Sequence, residues 1–365
     1  MTLYFYFARK FTMIFLGILG VFFMLMALID LVEQISRFSA RGVSLPQIFE
    51  LTLLNAPKSI YDILPLVMIL STVTLFLGLS RSSELVVARA AGRSALRSLM
   101  APVCVAALIG IVTVGMANPI VSVTSKRFND LYDGYRNEGV DVLSISAEGL
   151  WLRQGGNEGQ TVIRASNANA DGTTLYDVTF LAYAPVGGPV RRIEARSATL
   201  SEGAWILTNA KVWPLTAGLN PEGLSAEHDT LSLPSTLTQD RIRDSFGTPG
   251  VISVWDLPQY IRQLQEAGFS ARRHVVWLQI ELARPLFLIA MVLVASAFTM
   301  RHTRFGHTGI SVLAAIMLGF GLYYIRNFAQ ILGENGQLPV MLAAWAPPVA
   351  SVLLALGILL HMEDG

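Results

Sequence analysis

The sequence predicts an α-helical membrane protein with six transmembrane helices and an all-β domain inserted between the third and fourth. Three observations carry this. Only 15% of the 365 residues are charged and 53% are hydrophobic, where a soluble chain carries about 25% charged residues. Six long apolar runs punctuate the chain. The deficit of charge is also local: 31 of the 148 residues in 126–273 are charged, against 22 of the other 217. Mean hydropathy is +0.51. A net charge of +1 gives no basic excess for nucleic acid. The single cysteine, Cys104, excludes an internal disulfide framework and any multi-cysteine metal cluster.

Each run is long enough to cross about 30 Å of hydrocarbon. Phe11–Ile29 and Ile63–Ser80 contain no charge. The first is too long for a cleavable signal peptide, and no Ala-x-Ala site follows it. Ser98–Ser125 carries Pro102 and Asn118–Pro119. Val275–Met300 is interrupted by Glu281 and Arg284, whose i, i+3 spacing lets them pair on one helix face. Thr308–Ile325 and Leu338–Leu360 complete the six. An even number puts both termini on one side. Eight basic residues (Arg9, Lys10, Arg81, Arg89, Arg93, Arg97, Arg301, Arg304) flank that side, and four (Arg37, Arg41, Lys58, Arg326) the other. The positive-inside rule therefore makes the termini cytoplasmic and exports the inserted domain.

Within that domain, period-2 patterns predict half-buried strands. Tyr176, Val178, Phe180 and Ala182 share a parity, Ile193 and Ala195 alternate with charges, and Ile206, Ala210 and Val212 fall on one side. Asp171–Gly172, Gly187–Gly188 and Glu202–Gly203 supply turns, so a sandwich or jelly-roll is expected. Ser253–Asp256 has the form of a capping box, followed by an amphipathic stripe at Leu257, Tyr260, Ile261 and Leu264 and by Gly268. This connector is either a packing helix or a moving coupler. The expected division is 1–125 (spans one to three, with a short helix at 82–92), 126–252 (β-domain), 253–273 (connector) and 274–365 (spans four to six).

Chemical motifs are absent. No lysine follows glycine, so there is no phosphate loop, and there is no G-x-S-x-G or H-E-x-x-H. No catalytic residue, metal site or cofactor is expected. Residues 80–98 read SRSSELVVARAAGRSALRS. Ser82 or Ser83 can cap a short helix that starts with Glu84 and ends at Gly92. Such a helix needs a partner surface; the alternative is a basic loop on the lipid surface.

The segment Ser83-Glu-Leu-Val-Val-Ala-Arg-Ala-Ala-Gly-Arg-Ser94 resembles the coupling helix of the lipopolysaccharide export permeases, the LptF/LptG (YjgP/YjgQ) family. The order of spans and β-domain matches the family over nearly the whole chain. Ser-Glu-Leu-Val-Val and Gly149-Leu-Trp-Leu152 are more similar to the LptG branch. The resemblance implies an ABC transporter permease of the bacterial inner membrane with a periplasmic jelly-roll. It further implies a sister LptF-like permease, an LptB-like ATPase dimer that hydrolyses ATP in its place, and LptC-like and LptA-like bridge proteins that receive the lipopolysaccharide. By motif match, Glu84, Leu85, Val86 and Arg89 would engage the ATPase.

Lipopolysaccharide phosphates would meet basic residues at the outer end of a cavity. Arg37 and Arg41 are the first candidates, Lys58 and Arg326 the second. Family members carry phosphate-contacting lysines at the end of span one; one such position holds Asp30 here, and Ser36 precedes Arg37. Phe22, Met26, Met317, Phe320 and Tyr324 would accept acyl chains or simply face lipid. Two other readings stand beside this one: a non-transporting scaffold or sensor whose β-domain binds a partner, and another ABC permease with an extracytoplasmic domain. Only a permease has a use for a coupling helix.

Overall fold

The computed structural model describes all residues except 1, 40–42, 85–86, 88–94, 137–142, 147–148, 157–158, 170–171, 185–187, 202, 216–219, 236, 238–247, 267–268, 301–307 and 364–365. The chain forms two units. One comprises Met1–Tyr135, Gly250–Trp255 and Arg272–Gly365; the other comprises Arg136–Pro249 and Asp256–Ala271.

The first unit is helical: α1 (Thr2–Phe38), α2 (Leu45–Arg81), α3 (Ala95–Val112), a π-turn (Thr113–Ala117), α4 (Asn118–Arg136), α6 (Arg272–Thr299), α7 (Thr308–Glu334) and α8 (Val340–Glu363). They contain six segments of membrane-spanning length and composition, the shortest of 22 residues, which is about 33 Å of helix. The third run continues past its uncharged stretch to Arg136. The extension is amphipathic: Phe128, Leu131, Tyr132 and Tyr135 fall on one face and pack on Phe38, Ile48 and Leu51 at the α1–α2 connection. The middle of the bundle is α6, which packs against α2, α3, α7 and α8. Gly110 makes one of these approaches possible: a Cβ there would sit 2.6 Å from Pro285 Cα.

The second unit is a seven-stranded antiparallel sheet in the order β1 to β7. Its strands are Leu143–Ser146, Gly149–Gly156, Gly159–Ala168, Thr174–Tyr183, Pro189–Ser201, Ala204–Pro214 and Ala226–Pro234. Gly172 and Gly203 take positive φ in the connections, as tight turns require. Every strand pairs with its neighbour in sequence, which makes a meander. Its inward parity changes along each central strand. The buried residues are Ile163, Ala165 and Ala168 in β3; Leu175, Val178 and Phe180 in β4; Ile193, Ala195 and Ala198 in β5; Trp205, Leu207 and Ala210 in β6. The expected pairing of Tyr176 with Val178 on one face is thus overturned, as is that of Ile206 with Ala210. Asp177 and Asn209 have φ of 49° and 52°, and the extra rotation moves the next side chain to the other face.

These shifts are in phase. The registers on either side place Ser166, Asp177, Arg196 and Asn209 in one row across four strands. Phe180 and Trp205 lie on opposite sides of that row. Seven residues of strand separate their rows, about 23 Å in a flat sheet, yet their ring centroids are 6.4 Å apart. The sheet is therefore folded along the row, and its two halves enclose a common core. One bent meander thereby makes the facing layers of a sandwich.

Helix α5 (Leu257–Glu266) belongs to this unit and contacts β1. Leu257, Ile261 and Leu264 are buried, as the stripe predicts. The cap differs from expectation: Gln259 and Tyr260 N–H groups donate to Asp256 O, so Asp256, not Ser253, starts the helix. Pro258 occupies the first turn, where its missing N–H has no intrahelical partner to lose. Phe269 N–H closes the far end on Leu264 O at 2.9 Å; Gly268 lies outside the described residues.

Candidate functional site

Two prolines shape the interior of the helical unit. A proline cannot bond the carbonyl four residues before it. For Pro65 in α2 that carbonyl is Tyr61 O, which accepts from Arg284 Nη1 at 3.4 Å. For Pro119 in α4 it is Gly115 O, in the π-turn, which accepts from Trp255 Nε1 at 3.1 Å. The two repairs belong to one network. Arg284 donates twice to Glu281, at 2.6 and 3.0 Å, and its guanidinium lies 4.0 Å from the Tyr61 ring centroid. Tyr61 hydroxyl donates to Glu281 and accepts from Asn118 Nδ2. Asn118 Oδ1 takes the Val254 N–H at 2.8 Å. Glu281 is fully buried and Arg284 nearly so. The i, i+3 pair is made as the spacing suggests, and Tyr61 of α2, itself held by Asn118 of α4, adds a further donor to Glu281, as buried charge requires.

Beside this network lies an apolar pocket of about 320 Å³ between α1, α2 and α7. Met26 comes from α1; Ser59, Asp62, Ile63, Pro65, Leu66 and Ile69 from α2; Gly319, Phe320 and Tyr323 from α7. Gly319 lets α7 approach α2, since a Cβ there would lie 2.2 Å from Ile69 Cδ1. Asp62 is the single charged side chain among these residues, within the electrostatic reach of Arg284, Lys58 and Arg326. The pocket can enclose hydrocarbon and offer one acidic and two hydroxyl-bearing side chains, Ser59 and Tyr323, at its wall.

Of the residues expected to contact a lipid, Met26 and Phe320 line this pocket together. Phe22 packs against the bundle core, and Met317 and Tyr324 point outward, 61% and 66% exposed. Arg37 is held by Glu33 at 2.5 Å and donates to Tyr132 hydroxyl at 2.7 Å. Lys58 is exposed. Arg326 turns into the bundle, 7% exposed, with its guanidinium 5.3 Å from the Phe287 ring centroid. Arg41 lies outside the described residues. Sequence reasoning missed Asp62, Gly319 and Tyr323. Asp62 beside Pro65, an acid one turn from a helix-breaking residue in an apolar run, is the signal that was available.

At the end of α2, Ser82 closes the helix and Ser83 takes φ 58°. A new turn begins there, with Val87 N–H on Ser83 O at 3.1 Å. Glu84 accepts from Lys10 Nζ at 3.0 Å and from Ser82 hydroxyl at 2.8 Å. Burial favours its neutral form, but these hydrogen bonds outweigh that and hold it below the ordinary glutamate range. Leu85, Val86 and Arg89 lie outside the described residues.

Comparison with known proteins places these features in context. The family model described as "Lipopolysaccharide export system permease LptF/LptG" matches residues 5–361. The chain is similar to the lipopolysaccharide export system permease protein LptG of Haemophilus influenzae, 24% identical over 93% of each chain. It is also 24% identical to LptG of Escherichia coli K12, over 93% of this chain and 91% of that one.

Proposed function

The chain belongs to the lipopolysaccharide export permease family LptF/LptG, and from that premise we propose that it is the transport half-subunit that draws lipopolysaccharide out of the membrane. It is a multi-pass inner-membrane protein with six apolar helices. In this reading the termini are cytoplasmic and the folded β-meander stands in the periplasm. A separate LptB-like ATPase dimer supplies the energy, because the sequence holds no phosphate loop. An LptF-like sister completes the cavity, and LptC-like and LptA-like proteins receive the cargo.

The observation that carries the proposal is the pocket between α1, α2 and α7. Its walls are mostly methionine, aliphatic and aromatic, so acyl chains leaving the bilayer meet surroundings about as apolar as those they leave. A cargo with a phosphorylated head needs cations nearby, and Lys58 and Arg37 stand on two of the three helices that form the wall. Arg37 already has an acidic partner, so Lys58 is the better phosphate contact in this chain. The route then has three parts: chains lodge between α1, α2 and α7, the head meets Lys58, and closure drives the lipid toward the β-domain.

Photo-crosslinkers at Met26 and Phe320 in the assembled complex test this. Adducts with lipopolysaccharide at both positions, and none at outward-facing Met317, are expected. Absence of adducts at Met26 and Phe320, in a preparation where the ATPase copurifies, would remove the pocket from the path.

A further inference from the structure

We propose that Lys10 is a positioning residue: it ties α1 to Glu84, so that force applied at Glu84 is delivered to α1 directly. This rests on the reading of 82–92 as the ATPase-coupling segment.

Two groups converge on Glu84. Lys10 Nζ lies 3.0 Å from Oε1, and Ser82 hydroxyl donates to the same oxygen at 2.8 Å. Lys10 is itself placed by Tyr6, one turn earlier on α1. It donates to the Tyr6 hydroxyl at 3.1 Å and lies 5.2 Å from that ring's centroid. The backbone makes the meeting possible. Ser83 is one of three described non-glycine residues with positive φ, and this left-handed step lies between the end of α2 and Glu84, whose carboxylate meets Lys10 of α1. A serine in that conformation is strained, and the bonds that Glu84 makes to Lys10 and Ser82 help offset that strain.

The pair is about one-third exposed on each side. As a stability element alone it is minor. Its place gives it a different weight. Among the described residues, Phe7, Phe11, Phe15 and Phe38 are the buried apolar side chains of α1, and its other apolar side chains are partly or wholly exposed, so α1 is held by fewer buried side chains than the central helix α6. Glu84 is where a cytoplasmic partner would push. A carboxylate has lone pairs enough to hold Lys10 and Ser82 on one oxygen while meeting a second cation. The partner's cation and Lys10 then share one anion, and movement of the first displaces the second.

The test uses the complete transporter in nanodiscs, with Lys10→Gln, Lys10→Arg and Glu84→Ala, reading lipopolysaccharide released per ATP hydrolysed. An ion pair of this exposure sets an equilibrium by up to about fivefold. Lys10→Gln should therefore lower release per ATP by about two- to fivefold, and Lys10→Arg should restore it. Native release per ATP in Lys10→Gln, or failure of Lys10→Arg to restore a loss, overturns the tie. Glu84→Ala separates the two readings. If it couples normally, the coupling assignment itself fails; if it uncouples while Lys10→Gln does not, only the tie fails.

Discussion

Removing one member of the Glu281–Arg284 pair should be far more damaging than removing both. In Glu281→Gln the Arg284 guanidinium stays fully buried on α6 with its two charge-assisted bonds, at 2.6 and 3.0 Å, reduced to one neutral acceptor. A guanidinium cannot shed its proton, so the charge remains without its hydrogen-bonded counterion. Breaking a buried pair in this way costs about 3–5 kcal/mol. Arg284→Met leaves Glu281 with the Tyr61 hydroxyl, and a carboxyl group can be neutralised by a proton, so the loss is smaller. The double variant Glu281→Met, Arg284→Met removes both charges and fills similar volume, and such replacements are often neutral or stabilising, here less the cost of the Tyr61 hydroxyl and carbonyl that lose these partners. The assay is thermal unfolding in detergent, followed by tryptophan fluorescence and by monodispersity after heating. The expected order is Glu281→Gln least stable, Arg284→Met next, and the double variant the most stable of the three. A Glu281→Gln variant as stable as the native chain would refute the reasoning, as would a double variant no better than the worse single.

Other outcomes follow from single contacts. Gly110→Val would press a side chain onto Pro285, 2.6 Å from the added Cβ; overpacking of this kind costs about 1–3 kcal/mol, read as a lower yield of folded protein and a lower unfolding temperature. Asn209→Val places a β-branched residue at φ 52° and should destabilise the β-domain by about 1–2 kcal/mol, while Asn209→Gly stays within about 1 kcal/mol of native, both measured by denaturant unfolding. Trp255→Phe removes the donor to Gly115 O, a loss of about 1 kcal/mol visible as faster amide exchange in the π-turn. Because hydrogen bonds hold Glu84 below its ordinary value of 4.5, its ion pair is complete above that value and is lost only as pH falls through the lowered one. Release per ATP should then owe nothing to Glu84 titration between about pH 6 and 8.

The six spans were legible because the bilayer leaves no choice: every backbone polar group must be satisfied within the segment, and the side chains must be apolar for its whole length. The lower end of the third span was not, since past Ser125 the helix is polar by count and its aromatic stripe has meaning only against Phe38, Ile48 and Leu51. Alternation located β-strands but misassigned Tyr176 and Ile206, because parity arguments assume an unbroken pleat. Asp177 and Asn209 break it. Both residue types visit the left-handed region more readily than others, so an Asp or Asn in mid-strand was the sign that the faces change over.

The same limit governs the site. Composition identified apolar residues on the first and fifth spans, yet it could not say which face each helix turns inward. Met26 and Phe320 reach the pocket while Tyr324, one turn from Phe320 on the same helix, does not. What decides this is Gly319: with no side chain there, α7 closes onto Ile69 of α2, and that contact fixes the rotation of α7 and with it the neighbours that line the cavity. Arg326 is carried inward by that rotation, onto Phe287, and so a residue counted among the outer cations becomes part of the bundle. Among the described residues, the expected cations left to meet an anionic head are Lys58 and Arg37, and Arg37 is already shared with Glu33. Neutralising Lys58 should therefore weaken cargo capture more than neutralising Arg326, whose loss acts first on packing.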